Sequence, residues 1–404
     1  MQGNAIDLTG AGKFDALHQG PSDHQLTTTA GAPHPLKISA SDAEIERDFA
    51  DLLLVPDLDQ NLRTHERVVA AFENALGDAL DAAYHDSSGP DTPIEAARAH
   101  LFLHRVLYRI NRLNFFWYDD LSNYVNERSN YVRAVRDRIE DEWQRWETGQ
   151  IDVAGMKEEN PIEEALQARA AADLDPAPSI DGLYFRDRVG EAGYRRLLEI
   201  ASLDALVEAS QLSRTLGGVG NEIHAMMTRL LVEEYGGGRL LRKHSSFFTA
   251  MLEELGMSTE PEAYFDVVPW EVLANINHSF LLSERKRFYL RYVGGLLYTE
   301  ISVPAGFRHY RAAAERLGFS ERAMGYWDLH IREDERHGQW MLHRVSFPLA
   351  SRYPRDAWEL IFGYDQQRLM SDRAGAAVAR AARQAESQTA LTTAPAKAFR
   401  VAAR

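Results

Sequence analysis

Apolar residues recur three and four positions apart through most of this chain, and the alternating apolar–polar runs that make half-buried strands are nearly absent. Such a pattern buries one stripe of a helix and little else, so the expected fold class is all-α. Glycine and proline divide it into segments. Residues 1–40 are rich in Gly, Ser, Thr, Pro and Ala without sustained periodicity, and are expected to form a flexible N-terminal arm. Helical patterning over 41–147, turning at Ser87-Ser88-Gly89-Pro90, predicts an N-terminal helical unit. Residues 148–184 hold Gly149, Gly155, Pro161, Pro176 and Pro178 and read as a linker with a short helical stretch near 161–173. Periodicity resumes over 185–372 as a second domain, and the Ala-, Arg- and Gln-rich residues 373–404 are expected to be a flexible tail.

The bulk properties narrow the function classes. A formal charge of −15 over 404 residues argues against nucleic acid or an anionic membrane as partner. The absence of cysteine excludes disulfides, thiolate metal sites and cysteine nucleophiles. No apolar run reaches membrane-spanning length and no signal-peptide pattern opens the chain, so a cytoplasmic location is expected. The aromatic stretch RLNFFWYDDL in the N-terminal unit offers more apolar surface than a lone hairpin can hide, and predicts a homodimer formed through that unit.

The chemistry concentrates in the second domain. In WDLHIREDERHG, residues His330, Asp334 and His337 stand at i, i+4 and i+7, which places them within about 60° of one another on a helix. Imidazole and carboxylate together suit iron and other first-row metals, whereas calcium and magnesium prefer oxygen alone. In NEIHAMMTRLLVEEYGGG, Glu234 shares a face with Ile223, Met227, Leu230 and Leu231 and is expected to point inward. Glu233 aligns with Glu222, Met226 and Arg229 and is expected to face solvent, where its replacement is near neutral. His244 follows the glycine turn. Glu300 lies on the apolar face of RKRFYLRYVGGLLYTE, ahead of Pro304, which is expected to end that helix; Gly294-Gly295 would admit a neighbouring helix closely. Glu208 is expected to point inward from a short helix, SLDALVEASQL. His224, His278, His309 and His343 have no partners at ligand spacing and read as structural. Four inward carboxylates balance the charge of two divalent ions, and three histidines complete a shell of nitrogen and oxygen donors.

In this order, Glu208, then E-Y-G-x-G-x5-H from Glu234 to His244, then Glu300, then H-x3-D-x2-H from His330 to His337, the chain resembles the haem-oxygenase-like diiron oxidases and oxygenases over roughly residues 185–345. The resemblance implies a haem-oxygenase-like helical bundle holding two irons without haem. It implies as ligands Glu208, Glu234, His244, Glu300, His330, Asp334 and His337, with O2 as co-substrate and electrons from an external donor such as a reductase. The family includes an N-oxygenating enzyme of N-nitrosourea biosynthesis with a helical region ahead of its diiron domain, to which residues 41–146 are similar in kind, and a cupin domain after it, for which no counterpart is expected here. The implied reaction is oxidation of a small amine-bearing or amino-acid-like molecule by N-oxygenation, desaturation or C–C cleavage. A fatty-acid-type substrate at the same site and a non-catalytic helical interaction or metal-binding protein are the alternatives. A ferritin-like bundle is disfavoured, because the chain contains no Glu-x-x-His.

Overall fold

In the computed structural model, residues 39–85, 94–114, 120–218 and 220–393 are described, and among them helices, turns and loops are the only structure. Residues 1–38 of the expected arm, the turn at 87–90, the aromatics 115–118 and residues 394–404 lie outside the described residues. The helices are α1 (Ala40–Leu52), α2 (Leu58–Asn61), α3 (Glu66–Tyr84), α4 (Ile94–Arg112), α5 (Asn130–Thr148), α6 (Val153–Glu158), α7 (Ile162–Leu174), α8 (Ile180–Asp187), α9 (Glu191–Ala205) and α10 (Glu222–Glu234). They continue with α11 (His244–Glu254), α12 (Trp270–Glu284), α13 (Tyr289–Arg316), α14 (Glu321–Trp340), α15 (Phe347–Arg352) and α16 (Trp358–Thr393). Small polar residues start several of them: Ser129 accepts from the Val132 N–H at 3.3 Å, and Ser320 from the Ala323 N–H at 3.2 Å.

The long helices α13 and α16 form the spine, with α14 and α8 against the first and α9 and α12 against the second. The expected close approach at Gly294 is real: a Cβ there would collide with the Leu360 carbonyl, and one at Gly363 with the Arg291 carbonyl, so the two backbones touch where both lack side chains. Pro304 does not end its helix. Helix α13 runs through it to Arg316, leaving the Glu300 carbonyl without its usual i+4 donor, and packing against neighbours on both sides holds the element together.

The domain boundaries expected from composition are corrected in two places. Residues 148–184 are not an open connection, since α6 and α7 bury Met156, Leu166 and Ala170 in the core that also holds Leu297 and Leu360. Residues 373–393 are not a flexible tail. They continue α16, burying Ala377, Ala379 and Ala382, while Glu386 accepts from Tyr184 Oη at 2.8 Å. Alanine carries so little hydrophobic contrast that this stripe is faint in sequence, yet its small side chains let α16 lie close to α9. The N-terminal helices build their own core around Phe49, Phe72, Phe102 and Trp143, and Ala274, Leu281 and Met370 of α12 and α16 extend it without a break. The described residues accordingly form one compact unit.

Candidate metal centre

Five stretches of backbone bring the seven expected ligand residues together. Helix α14 exposes its His330, Asp334 and His337 stripe to the interior, where they are 7, 4 and 0 % exposed. Glu300 enters from the middle of α13, and Glu234 ends α10. His244 opens α11 after a turn in which Gly236 adopts φ +60°; a Cβ there would strike the Arg242 backbone, so the E-Y-G segment folds back only with glycine at this position. Glu208 reaches the site by another route than expected. Helix α9 stops at Ala205, and Glu208 stands in the irregular turn beyond it, next to Ala209 at φ +62°. A left-handed alanine costs on the order of 1 kcal/mol, a local strain carried beside the site.

Two clusters of donors result. Glu208, His244 and His330 form one, and Glu234, Asp334 and His337 the other, each with candidate donor atoms within 4.8 Å of one another. In the first, His244 Nδ1 lies 3.3 Å from His330 Nε2, which lies 3.5 Å from Glu208 Oε2. In the second, His337 Nδ1 lies 3.4 Å from Glu234 Oε1, 3.4 Å from Glu300 Oε2 and 3.9 Å from Asp334 Oδ1. Glu234 joins them, because its Oε2 is 2.9 Å from His244 Nδ1. Donors bound to a common first-row ion at roughly 2.0–2.1 Å stand roughly 3.0–3.4 Å apart across tetrahedral or octahedral angles, close to these separations. His337 Nδ1 and Glu208 Oε1 are buried without a hydrogen-bond partner, and such atoms are costly unless something not made of protein meets them.

The electrostatics point the same way. Burial pushes the Asp334 and Glu300 carboxyls up, whereas Glu234 is held well below the usual range by His244 and His337 against the same penalty. Burial alone would lower the imidazoles. Contact with the carboxylates instead raises His330 to about 10, chiefly through Glu208, and His337 to about 11, chiefly through Glu234 and Glu300. The cluster draws in positive charge, and divalent cations satisfy that demand as protons do.

Two residues that periodicity did not place in the site complete it. The Tyr326 carbonyl lies 2.8 Å from His330 Nδ1, so that nitrogen carries the proton and Nε2 faces the cluster. Tyr326 Oη donates to Glu208 Oε2 at 2.6 Å. Its place one helical turn before His330 was the available signal. The second corrects the expectation for Glu233, which is not idle on the surface: its Oε2 lies 3.1 Å from His337 Nε2, and Arg336 and Arg229 hold the carboxylate there. His337 Nδ1 is thereby left to face Glu234, Asp334 and Glu300. Glu233 and Glu333 also make a third acidic cluster with His337, but Arg336 neutralises both from the solvent side. Arg291 and Arg308 are engaged elsewhere, with Glu359 at 2.7 Å and Asp175 at 3.0 Å.

A cavity of about 260 Å³ adjoins the donors, with Glu208, Glu234, Glu300, His330 and Asp334 in its wall and Leu212, Ile276, Leu296, Val303 and Phe307 supplying apolar surface. A small molecule held there would sit against the clusters.

Nitrosourea synthase of Streptomyces achromogenes subsp. streptozoticus is 25% identical over 221 residues, which is 54% of this chain and 43% of that protein, so the chain matches less than half the length of this relative. Residues 195–370 match the family described as iron-containing redox enzyme. The matched stretch, less than half of the chain, holds all seven clustered residues, and it is similar to the haem-oxygenase-like domain of the iron-containing redox enzyme family.

Proposed function

We propose that this protein is an O2-dependent non-haem diiron oxidase or oxygenase acting on a small amine-bearing substrate, by N-oxygenation, desaturation or C–C cleavage. The observation that carries the reading is Glu234, whose two carboxylate oxygens face two separate donor clusters. In this reading Glu208, His244 and His330 would hold one iron and Asp334, His337 and Glu300 the other, with the two oxygens of Glu234 facing both groups. When bound, a pair of ferrous ions supplies the binding and reduction of O2 that protein side chains lack. The chain's own residues do the rest. The Tyr326 carbonyl and Glu233 orient the two imidazoles, and Tyr326 Oη steadies one oxygen of Glu208. Burial and Glu208 push the Tyr326 phenol well above its usual range, so it remains a proton donor to that carboxylate. Leu212, Ile276, Leu296 and Val303 limit water around a bound substrate. The relative's name, nitrosourea synthase, supports a nitrogen-bearing substrate. Electrons beyond those of the two ferrous ions come from an external donor.

Anaerobic reconstitution with Fe(II), followed by iron analysis and oxygen-electrode measurement, tests this. Two irons per chain and O2 uptake on exposure to air are expected. A chain that retains no iron and consumes no O2 would move the assignment to a non-catalytic helical protein.

A further inference from the structure

One carboxylate in the cavity wall has no counterpart among the donors. Asp204, in the last turn of α9, is surrounded by protein yet keeps much of its surface open, because that surface faces the cavity. Gln211 is its hydrogen-bond partner. The dinuclear reading above, on which this inference rests, pairs two divalent ions with Glu208, Glu234, Glu300 and Asp334, so four charges of each sign cancel. Asp204 is then left as an uncompensated negative charge, and among the described residues the wall contains no lysine or arginine to meet it. Lys243 stands near Glu208 and Glu234 outside the wall, with its ammonium 4.7 Å from the Tyr235 ring.

Other parts of the wall favour the same kind of occupant. Tyr292, Phe307 and Tyr326 line it, and aromatic faces attract cations as a carboxylate does. Asn275 and Gln367 add neutral amides, joined by a 2.7 Å hydrogen bond. Among the described residues, His330 is the one basic side chain of the wall, and it is committed to the donor cluster. A carboxylate substrate would meet Asp204 across a cavity that screens charge poorly, and the cations beside it would be two ions whose charge the four donor carboxylates already balance. The volume also sets a scale: a 150 Å³ cavity accepts benzene, so about 260 Å³ admits roughly ten non-hydrogen atoms.

We infer that the cavity selects a small cationic nitrogen compound, an ammonium or guanidinium of roughly that size, with Asp204 as its anchor beside the metal centre, and that it rejects fatty-acid anions. Asp204 is a specificity-determining residue in this view and takes no part in holding metal.

The test is calorimetric titration of the anaerobic Fe(II)-loaded protein with n-butylammonium, methylguanidinium, putrescine and hexanoate, with iron measured on the same samples. At least one cation should bind and hexanoate should not. Asp204→Asn should weaken cation binding by about 10- to 100-fold while iron stays at the wild-type level. Hexanoate binding as tightly as the cations, no binding of any cation, or unchanged cation affinity in Asp204→Asn would each overturn the inference while leaving the metal site standing. Failure of the wild-type chain to take up iron would instead refute the dinuclear reading, and with it the charge balance that singles out Asp204.

Discussion

Replacing Glu233 with alanine removes the carboxylate 3.1 Å from His337 Nε2 and leaves Arg336 and Arg229 without their shared partner. His337 is fully buried, and Nε2 is the ring nitrogen turned away from the donor cluster, so this contact sets the direction of Nδ1. A hydrogen bond to a charged group contributes about 1.5–3 kcal/mol, and groups that orient a metal-binding imidazole typically alter affinity about 10- to 100-fold, or about 1.4–2.7 kcal/mol. Glu233 is 26 % exposed and shared with two arginines, which places the expected loss toward the lower half of that range. Only the ion held through His337 should weaken, because His244 and His330 have no contact with Glu233. Competition of Fe(II) or Co(II) against a chromophoric chelator should therefore turn two sites of similar affinity into one unchanged and one weakened, with the helical circular dichroism retained. Glu233→Gln, which keeps an acceptor oxygen, should fall between. Two sites of wild-type affinity in Glu233→Ala would refute the reasoning and return this residue to the solvated surface that helix phase alone suggests.

Glu234→Ala should disturb both ions, since its oxygens face both clusters, whereas His337→Ala should abolish one and leave helicity intact; iron analysis separates them, and equal losses would contradict the bridging arrangement. Gly294→Ala forces α13 away from the Leu360 carbonyl and should cost about 2–3 kcal/mol, read as a lower midpoint in chemical denaturation; an unchanged midpoint would mean that the helices do not touch there. Burial and the nearby Arg291 and Arg373 hold His278 down at about 3, and neither of its ring nitrogens has a hydrogen-bond partner. The unfolded chain therefore takes up this proton first as pH falls below about 6.5, and the folded state loses about 1.4 kcal/mol per pH unit on the way down. His278→Leu removes that loss and should gain about 2 kcal/mol relative to wild type between pH 6.5 and 5; a pH-independent difference would show that the histidine titrates normally.

The residues made legible by sequence are those whose role depends on one helix. A period of 3.6 fixes which side chains share a face wherever that face lies, so His330, Asp334 and His337 form a stripe and Glu234 turns inward before any tertiary contact is known. The same phase turns Glu300 inward, and the resemblance joined Glu208 and His244 to the set through the order and spacing of whole segments. What required the tertiary structure depends on residues distant in sequence. The turn that carries Glu208 lies outside any regular period. Helix α13 survives Pro304, and α16 orders alanine-rich residues, because packing outweighs local preference. Glu233 and Asp204 are the clearest cases. Glu233 is polar and on the outward phase of its helix, and it belongs to the site only because α14 brings His337 within 3.1 Å of it. Asp204 is one more acid in an acidic chain until the walls of the cavity close around it and leave its charge unmatched.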